Sequence, residues 1–173
     1  CRSFTSTPNI TASPSMTDAA GALDVVQADW HPLGECHLAV LLSDGTFRLF
    51  DVSANVQAPV LTLNVPAESK DGFEDHRSRP AGFCFGAPTH GGWSSLCVYI
   101  ASSSGTIYIA CPVLPGGERA RQHVRSLTPQ LEASLGDSAA CEATRAWLRV
   151  STTSHPPAAP YAQQPPPMLQ GPL

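Results

Sequence analysis

The chain has 173 residues and a formal net charge of −4. That length suffices for one domain with a real core, and the slightly acidic balance offers no basic face for direct binding of nucleic acid. Charged residues make up only 14% of the chain while Pro (17) and Gly (13) are frequent, which favours strands, turns and irregular segments; no apolar run approaches the ~20 residues of a membrane span, so membrane insertion is not expected.

Residues 1–20, CRSFTSTPNITASPSMTDAA, show no sustained period and read as a disordered lead-in. The start at Cys1 reads as the interior of a longer protein. LDVVQADWHP predicts a short strand ending at Pro32, and HLAVLLS, residues 37–43, an apolar one. Asp44-Gly45 supplies a tight turn, because Gly reaches positive φ without steric cost and Asp tolerates it. TFRLFDV then returns as a strand, with Phe47, Leu49 and Asp51 on one face and Arg48 and Phe50 on the other. Apolar residues on both faces suit a sheet packed between neighbours. PVLTLNV, residues 59–65, alternates as a strand, and Pro59 at its start fits a sheet edge. Residues 66–80 are polar and mixed in charge and predict an exposed loop. Strand-like sequence resumes with AGFCFGAP, SLCVYIA and TIYIACPV.

These last pieces repeat the first. With Gly45 set over Gly105, Ser43 meets Ser103, Thr46 meets Thr106 and Leu49 meets Ile109, while ADWHP ending at Pro32 corresponds to CFGAP ending at Pro88. Two tandem antiparallel units of strand, corner, strand, Ser-x-Gly-Thr turn and strand are the pattern of β-propeller blades, with the 66–80 insertion absorbing the excess over a compact blade of about 40–45 residues. The fold expected is therefore all-β: a partial β-propeller of about two WD-like blades over residues 21–115. Further on, ERARQHVRSL predicts a helix, and Thr128 as N-cap, Pro129 in the first turn and Gly136 as stop predict a short second one. ATRAWLRVS around Trp147 reads as another helix or as the first strand of a third blade, so 116–154 is mixed. Residues 155–173 read as a Pro-rich disordered tail.

No catalytic, cofactor-binding or metal-binding set is expected. HGGW, residues 90–93, is similar to the oxyanion-hole loop of lipases and esterases, but the chain has no Gly-x-Ser-x-Gly nucleophile motif, and a Gly-rich loop between strands explains it. Of the six histidines none is spaced as a metal pair, and His31, between Trp30 and Pro32, reads as a structural corner. No two of the six cysteines form Cys-x-x-Cys; Cys84, Cys97 and Cys111 lie in apolar runs and read as buried free thiols. Trp30, Phe47, Phe50, Phe83, Phe85 and Tyr99 fall in strand stretches and are expected in the core.

Residues 29–52, DWHPLGECHLAVLLSDGTFRLFDV, resemble the N-terminal β-propeller of the 88-kilodalton nucleoporin family, whose yeast counterpart is the 82-kilodalton nucleoporin. The elements that carry the resemblance are Trp30 and Pro32 of the corner, Ser43, Asp44 and Gly45 of the turn, and Arg48 and Asp51 of the returning strand; the likeness extends over roughly residues 23–115. The 66–80 loop is short for that family, and no heptads are present. The resemblance implies a structural nucleoporin, without enzymatic activity, on the cytoplasmic side of the nuclear pore complex and supporting mRNA and protein export. It implies partners among other nucleoporins: the C-terminal domain of the 98-kilodalton type, and the 214- and 62-kilodalton types through a coiled coil that these residues do not contain. SDGTFRLFD is also similar to generic WD repeats, which leaves a cytoplasmic WD-repeat interaction adaptor as the alternative. Trp93, in an inter-strand loop, is a candidate partner anchor, because interface hot spots favour Trp. A two-blade unit is further expected to leave strand edges and an apolar face uncovered.

Overall fold

The computed structural model describes residues 17–18, 21–65, 69–70, 73–74, 79–136, 139–151 and 168–170. The lead-in at 1–16, most of the 66–80 loop and residues 152–167 of the tail therefore lie outside the described residues. Two four-stranded antiparallel sheets carry the fold. The first is a meander of β1 (Val25–Trp30), β2 (His37–Leu42), β3 (Thr46–Asp51) and β4 (Leu61–Asn64) in sheet order. The second orders β5 (Pro80–Phe85), β6 (Val98–Ser102), β7 (Ile107–Cys111) and β8 (Met168–Gln170). Two-residue ribbons pair Thr17–Asp18 with Gly21–Ala22 and Ser69–Lys70 with Phe73–Glu74.

The two sheets are copies of one unit. Leu38 pairs with Phe50 as Val98 does with Ala110, and Val40 pairs with Arg48 as Ile100 does with Tyr108. Their turns share a hydrogen-bond pattern. Ser43 N–H donates to the Asp24 carbonyl (2.9 Å) and Ser43 Oγ accepts from Asp24 N–H (3.2 Å). Ser103 does the same with Arg79, at 2.8 and 3.0 Å. The first strands carry a register shift at the same place, between Val25 and Gln27 and between Pro80 and Gly82. One detail of the sequence alignment shifts. Trp30 pairs with Leu38 and Phe85 with Val98, and the N–H groups of His31 and Gly86 donate to the carbonyls of His37 and Cys97. Trp30 therefore corresponds to Phe85 and His31 to Gly86, so Pro32 has no proline counterpart at Pro88. The loop after β5 differs in length from the loop after β1, and proline positions alone misplaced the corner by one residue.

The main core lies between the sheets. Ala39, Leu41, Phe47 and Leu49 of the first meet Phe83, Val98, Ile100, Ala110 and Val113 of the second unit. Phe47 and Phe83 meet edge-to-face at 5.2 Å, an arrangement favoured by the ring quadrupole. The opposite face of the first sheet, Val40, Leu42, Phe50 and Val52, is buried as well. The second sheet has the open face expected of a partial propeller: Tyr99, Ala101 and Ile109 are half-buried, and Cys84 and Ile107 exposed. Trp30 is 51% exposed and is not core, because it sits on edge strand β1 on the face turned from the second sheet. β4 is a sheet edge, as Pro59 suggested.

Beyond β7 the chain is helical, with α1 (Glu118–Ala133) and α2 (Ala139–Ser151). The segment around Trp147 is thus a helix rather than a third-blade strand. Thr128 does not start a helix: its hydroxyl donates to the Val124 carbonyl (2.9 Å), and Pro129 lies inside α1. Ala120, Val124 and Leu131 line one stripe of α1 and form a second core with Leu33, Leu96, Leu114, Trp147 and Leu148. Met168–Gln170, read from sequence as part of the disordered tail, pairs with Ile109–Cys111 and supplies the second sheet's fourth strand. A three-residue strand in Pro-rich surroundings has no periodic signature of its own. Among the described residues no helix is long and apolar enough to cross a membrane.

The equivalent turns yield a paired test. Gly45 and Gly105 adopt φ of +86° and +91°, and a Cβ at Gly45 would in addition stand 3.3 Å from the Val65 carbonyl, whereas at Gly105 it meets nothing. Gly105→Ala is expected to cost about 1–2 kcal/mol from backbone strain alone, and Gly45→Ala more, read from urea unfolding midpoints.

Candidate interaction surfaces

The motif residues form three groups. Ser43, Asp44 and Gly45 make the turn that ties β2 to the start of β1; Asp44 Oδ1 accepts from Thr46 N–H (2.8 Å), which fixes the turn as the side chain of an Asx turn does. Arg48 and Asp51 belong to β3. Arg48 is buried, opposite Val40 on one side and Thr62 on the other. Asp51 Oδ1 accepts from Ser53 N–H (3.0 Å), Ser53 Oγ–H (2.6 Å) and Ala54 N–H (3.3 Å). Burial pulls the Asp51 carboxyl up, but these hydrogen bonds, together with nearby His37, outweigh it and hold the group below the usual carboxylate range.

The third group is the corner. Trp30 N–H, which points out of the sheet, donates to Asp29 Oδ1 (2.8 Å). Pro32 turns the chain, and His31 beneath it is 3% exposed. Leu33 N–H donates to His31 Nδ1 (3.2 Å), so the ring proton sits on Nε2 and is donated to the Val113 carbonyl (3.2 Å) of the second unit. The ring also packs on Phe85 at 4.4 Å. Burial lowers the His31 pKa to about 4, against a smaller upward pull from the Val113 hydrogen bond. Beside it, Gly116 N–H donates to His37 Nε2 (3.1 Å). His37 Nε2 is therefore an acceptor, and its 3.8 Å approach to Asp51 Oδ2 is a contact of a neutral ring rather than an ion pair. Burial lowers the His37 pKa and Asp51 only partly offsets it. His31 and His37 thus fasten the first unit to the segment that leaves the second. Sequence reasoning identified the His31 corner but missed His37; a second histidine five residues after the Trp30-His31-Pro32 bend was the available signal.

Gln27 was missed altogether. Its carboxamide accepts from Phe83 N–H (2.8 Å) and donates to the Phe83 carbonyl (2.9 Å), 56 residues away.

Trp93 belongs to the helical core. Its indole N–H donates to Ser134 Oγ (2.8 Å) and its ring packs among Leu96, Leu131 and their neighbours. The loop before it runs along α1, with Gly91 and Gly92 at positive φ beside Gln130. Ser94 and Ser95 donate to the carbonyls of Gly91 and Gly92 (3.0 and 2.9 Å). Ser95, in contact with His123 Nε2 (3.1 Å), is 3% exposed and its proton is already committed, so the loop has the geometry of a tether to α1 and not of an exposed nucleophile. The polar loop expected at 66–80 lies for the most part outside the described residues. Among the described residues the exposed large apolar side chains are Val25, Val26, Trp30 and Ile107, and no His, Cys, Asp and Glu cluster is placed to hold a metal ion.

Two stacked four-stranded units with matching turns and corners define a partial β-propeller. No protein-family model matches the chain. It is 37% identical over 105 residues to the nuclear pore complex protein NUP88 of Arabidopsis thaliana, a match covering 58% of this chain and 12% of that protein. It is 28% identical over 115 residues to nucleoporin NUP82 of Chaetomium thermophilum, covering 53% and 13%. Among solved structures it resembles a chain of the Chaetomium thermophilum heterotrimeric Nup82 NTD–Nup159 TAIL–Nup145N APD complex, with a TM-score of 0.51 at 20% identity over 84% of this chain and 34% of that one. The chain is similar to proteins of the nucleoporin 88/82 family, and it spans about an eighth of the length of the curated relatives it matches.

The corner histidine makes stability pH-dependent. Unfolded His31 takes a proton near pH 6.5 and folded His31 only near pH 4, so between these values the unfolded state binds more protons and acid favours it. The contribution of the neutral ring is complete above pH 6.5 and is lost as pH falls through 4, by about 3 kcal/mol. His31→Gln, which keeps a donor and an acceptor but does not titrate, should flatten most of the decline in urea midpoint between pH 7 and pH 4.5.

Proposed function

We propose that the chain is part of a structural nucleoporin that serves as a scaffold on the cytoplasmic side of the nuclear pore complex and supports mRNA and protein export. It works by surface complementarity and catalyses no reaction. The observation that carries this reading is the 37% identity to the Arabidopsis thaliana NUP88 protein over 105 residues. The structural relative supports the choice of partners, since it is a complex of the Nup82 NTD with the Nup159 TAIL and the Nup145N APD. The partners proposed here are other nucleoporins: the C-terminal domain of the 98-kilodalton type, and the 214- and 62-kilodalton types through a coiled coil elsewhere in the parent. A rigid blade pair suits such work, because loops on a fixed scaffold present binding groups without an ordering cost at each encounter.

Trp30, half exposed at the corner, is better placed as an aromatic contact than Trp93, whose indole is engaged by Ser134. Affinity capture of the tagged full-length parent from its own cells, read by mass spectrometry, is expected to recover FG-bearing nucleoporins. Recovery of ubiquitin-ligase or coat subunits in their place would transfer the chain to the WD-repeat adaptors.

A further inference from the structure

Cys97 and Cys111 face each other across the β6–β7 ladder. Val98 pairs with Ala110, so the next residues outward are Cys97 and Cys111. Ser102 N–H donates to the Thr106 carbonyl (2.9 Å), which sets the phase: Ser102–Thr106, Ile100–Tyr108 and Val98–Ala110 are the hydrogen-bonded pairs, and Cys97–Cys111 is a non-hydrogen-bonded one. Such pairs hold their Cα atoms about 4.5 Å apart, within the span of about 4.4–6.8 Å that a disulfide bridges. The ladder continues beyond them through Val113 N–H, which donates to the Leu96 carbonyl (2.7 Å) because Pro112 has no N–H to offer. Both thiols point the same way: Cys97 Sγ and Cys111 Sγ lie 3.0 and 3.6 Å from one acceptor, the Trp93 carbonyl. Cys97 is buried and Cys111 half-buried, so the pair lies next to the half-open face of the second sheet.

We propose that Cys97 and Cys111 form a reversible dithiol–disulfide site, closed by a peroxide and opened by a thiol reductant. The Cys97 thiol ionises and its sulfur attacks the O–O bond of hydrogen peroxide, giving a sulfenic acid at Cys97 and hydroxide, which takes up the released proton as water. The Cys111 sulfur then attacks the Cys97 sulfur, its proton leaving with the hydroxyl as a second water. Two thiols and one peroxide become one disulfide and two waters; the sulfurs lose two electrons and the peroxide oxygens gain them. The second thiol beside Cys97 intercepts the sulfenic acid before it is oxidised further. Closure removes both S–H donors from the Trp93 carbonyl, so the turn that carries Trp93 against α1 loses two of its tethers.

The test uses the intact chain at neutral pH with a few equivalents of hydrogen peroxide. Remaining thiols are blocked with iodoacetamide, and a chymotryptic digest, cut at Tyr99 and Tyr108, is read by mass spectrometry. The expected product is the Cys97 peptide joined to the Cys111 peptide, two hydrogens lighter than their sum, separated again by dithiothreitol and equally abundant in Cys84→Ser. Three outcomes would overturn the proposal: both residues fully alkylated in the folded chain with the link formed only after denaturation, Cys97 linked to another cysteine, or Cys97 carried to the sulfinic acid without a link.

Discussion

An edge strand laid against a second sheet has outward N–H and carbonyl groups that no ladder partner takes, and leaving them buried and unpaired is costly. At Phe83 this chain solves the problem with one side chain. The phase of the β5–β6 ladder, set by Gly86 N–H on the Cys97 carbonyl, turns the Phe83 amide away from its own sheet. Gln27 projects from β1 of the first sheet and meets both groups with its carboxamide. The edge-to-face contact of Phe47 and Phe83 lies in the same core. A Glu at position 27 would offer acceptors only and an aliphatic residue neither group, so the contact specifies the residue type as well as the place.

The second fastening is the histidine corner. His31 and His37 reach the Val113 carbonyl and Gly116 N–H, where the chain leaves β7 for α1. Gln27 therefore holds the entry of the second unit and the histidines hold its exit. Together these contacts fasten the two sheets to each other, and the helical hairpin is joined to them through Leu33, Leu96 and Leu114. The corner side of Trp30 and the half-open face of Tyr99, Ala101 and Ile109 lie on units fastened to each other, which suits the scaffold role proposed above.

Much of this was legible in the sequence because it is local. Asp44-Gly45 and the Ser-x-Gly-Thr repeat announced both hairpins, since a positive φ and an Asx turn restrict residue choice at a few positions. Apolar residues on both faces of β2 and β3 announced a stacked sheet. The partial propeller followed from these two signals, and the resemblance to the nucleoporin family from the Trp30-x-Pro32 corner that precedes them. What escaped was non-local. Nothing near Gln27 in the sequence marks it as the partner of a backbone group 56 residues away. Met168–Gln170 is a strand only because β7 offers it an edge. Trp30 is more exposed and Trp93 more enclosed than their surroundings in sequence suggested, because exposure depends on what packs above a residue: α1 covers the loop of Trp93, and the edge position of β1 leaves Trp30 open.

Gln27 joins the two units by satisfying the outward amide of β5. Amide hydrogen exchange at Phe83 measures it directly, compared between the native chain and Gln27→Ala. Phe83 N–H in the native chain is expected to be protected about as well as the ladder amides beside it, and Gln27→Ala to remove this protection while leaving the β6–β7 ladder amides slow. Rapid exchange at Phe83 in the native chain, or protection that survives the loss of Gln27, would contradict it.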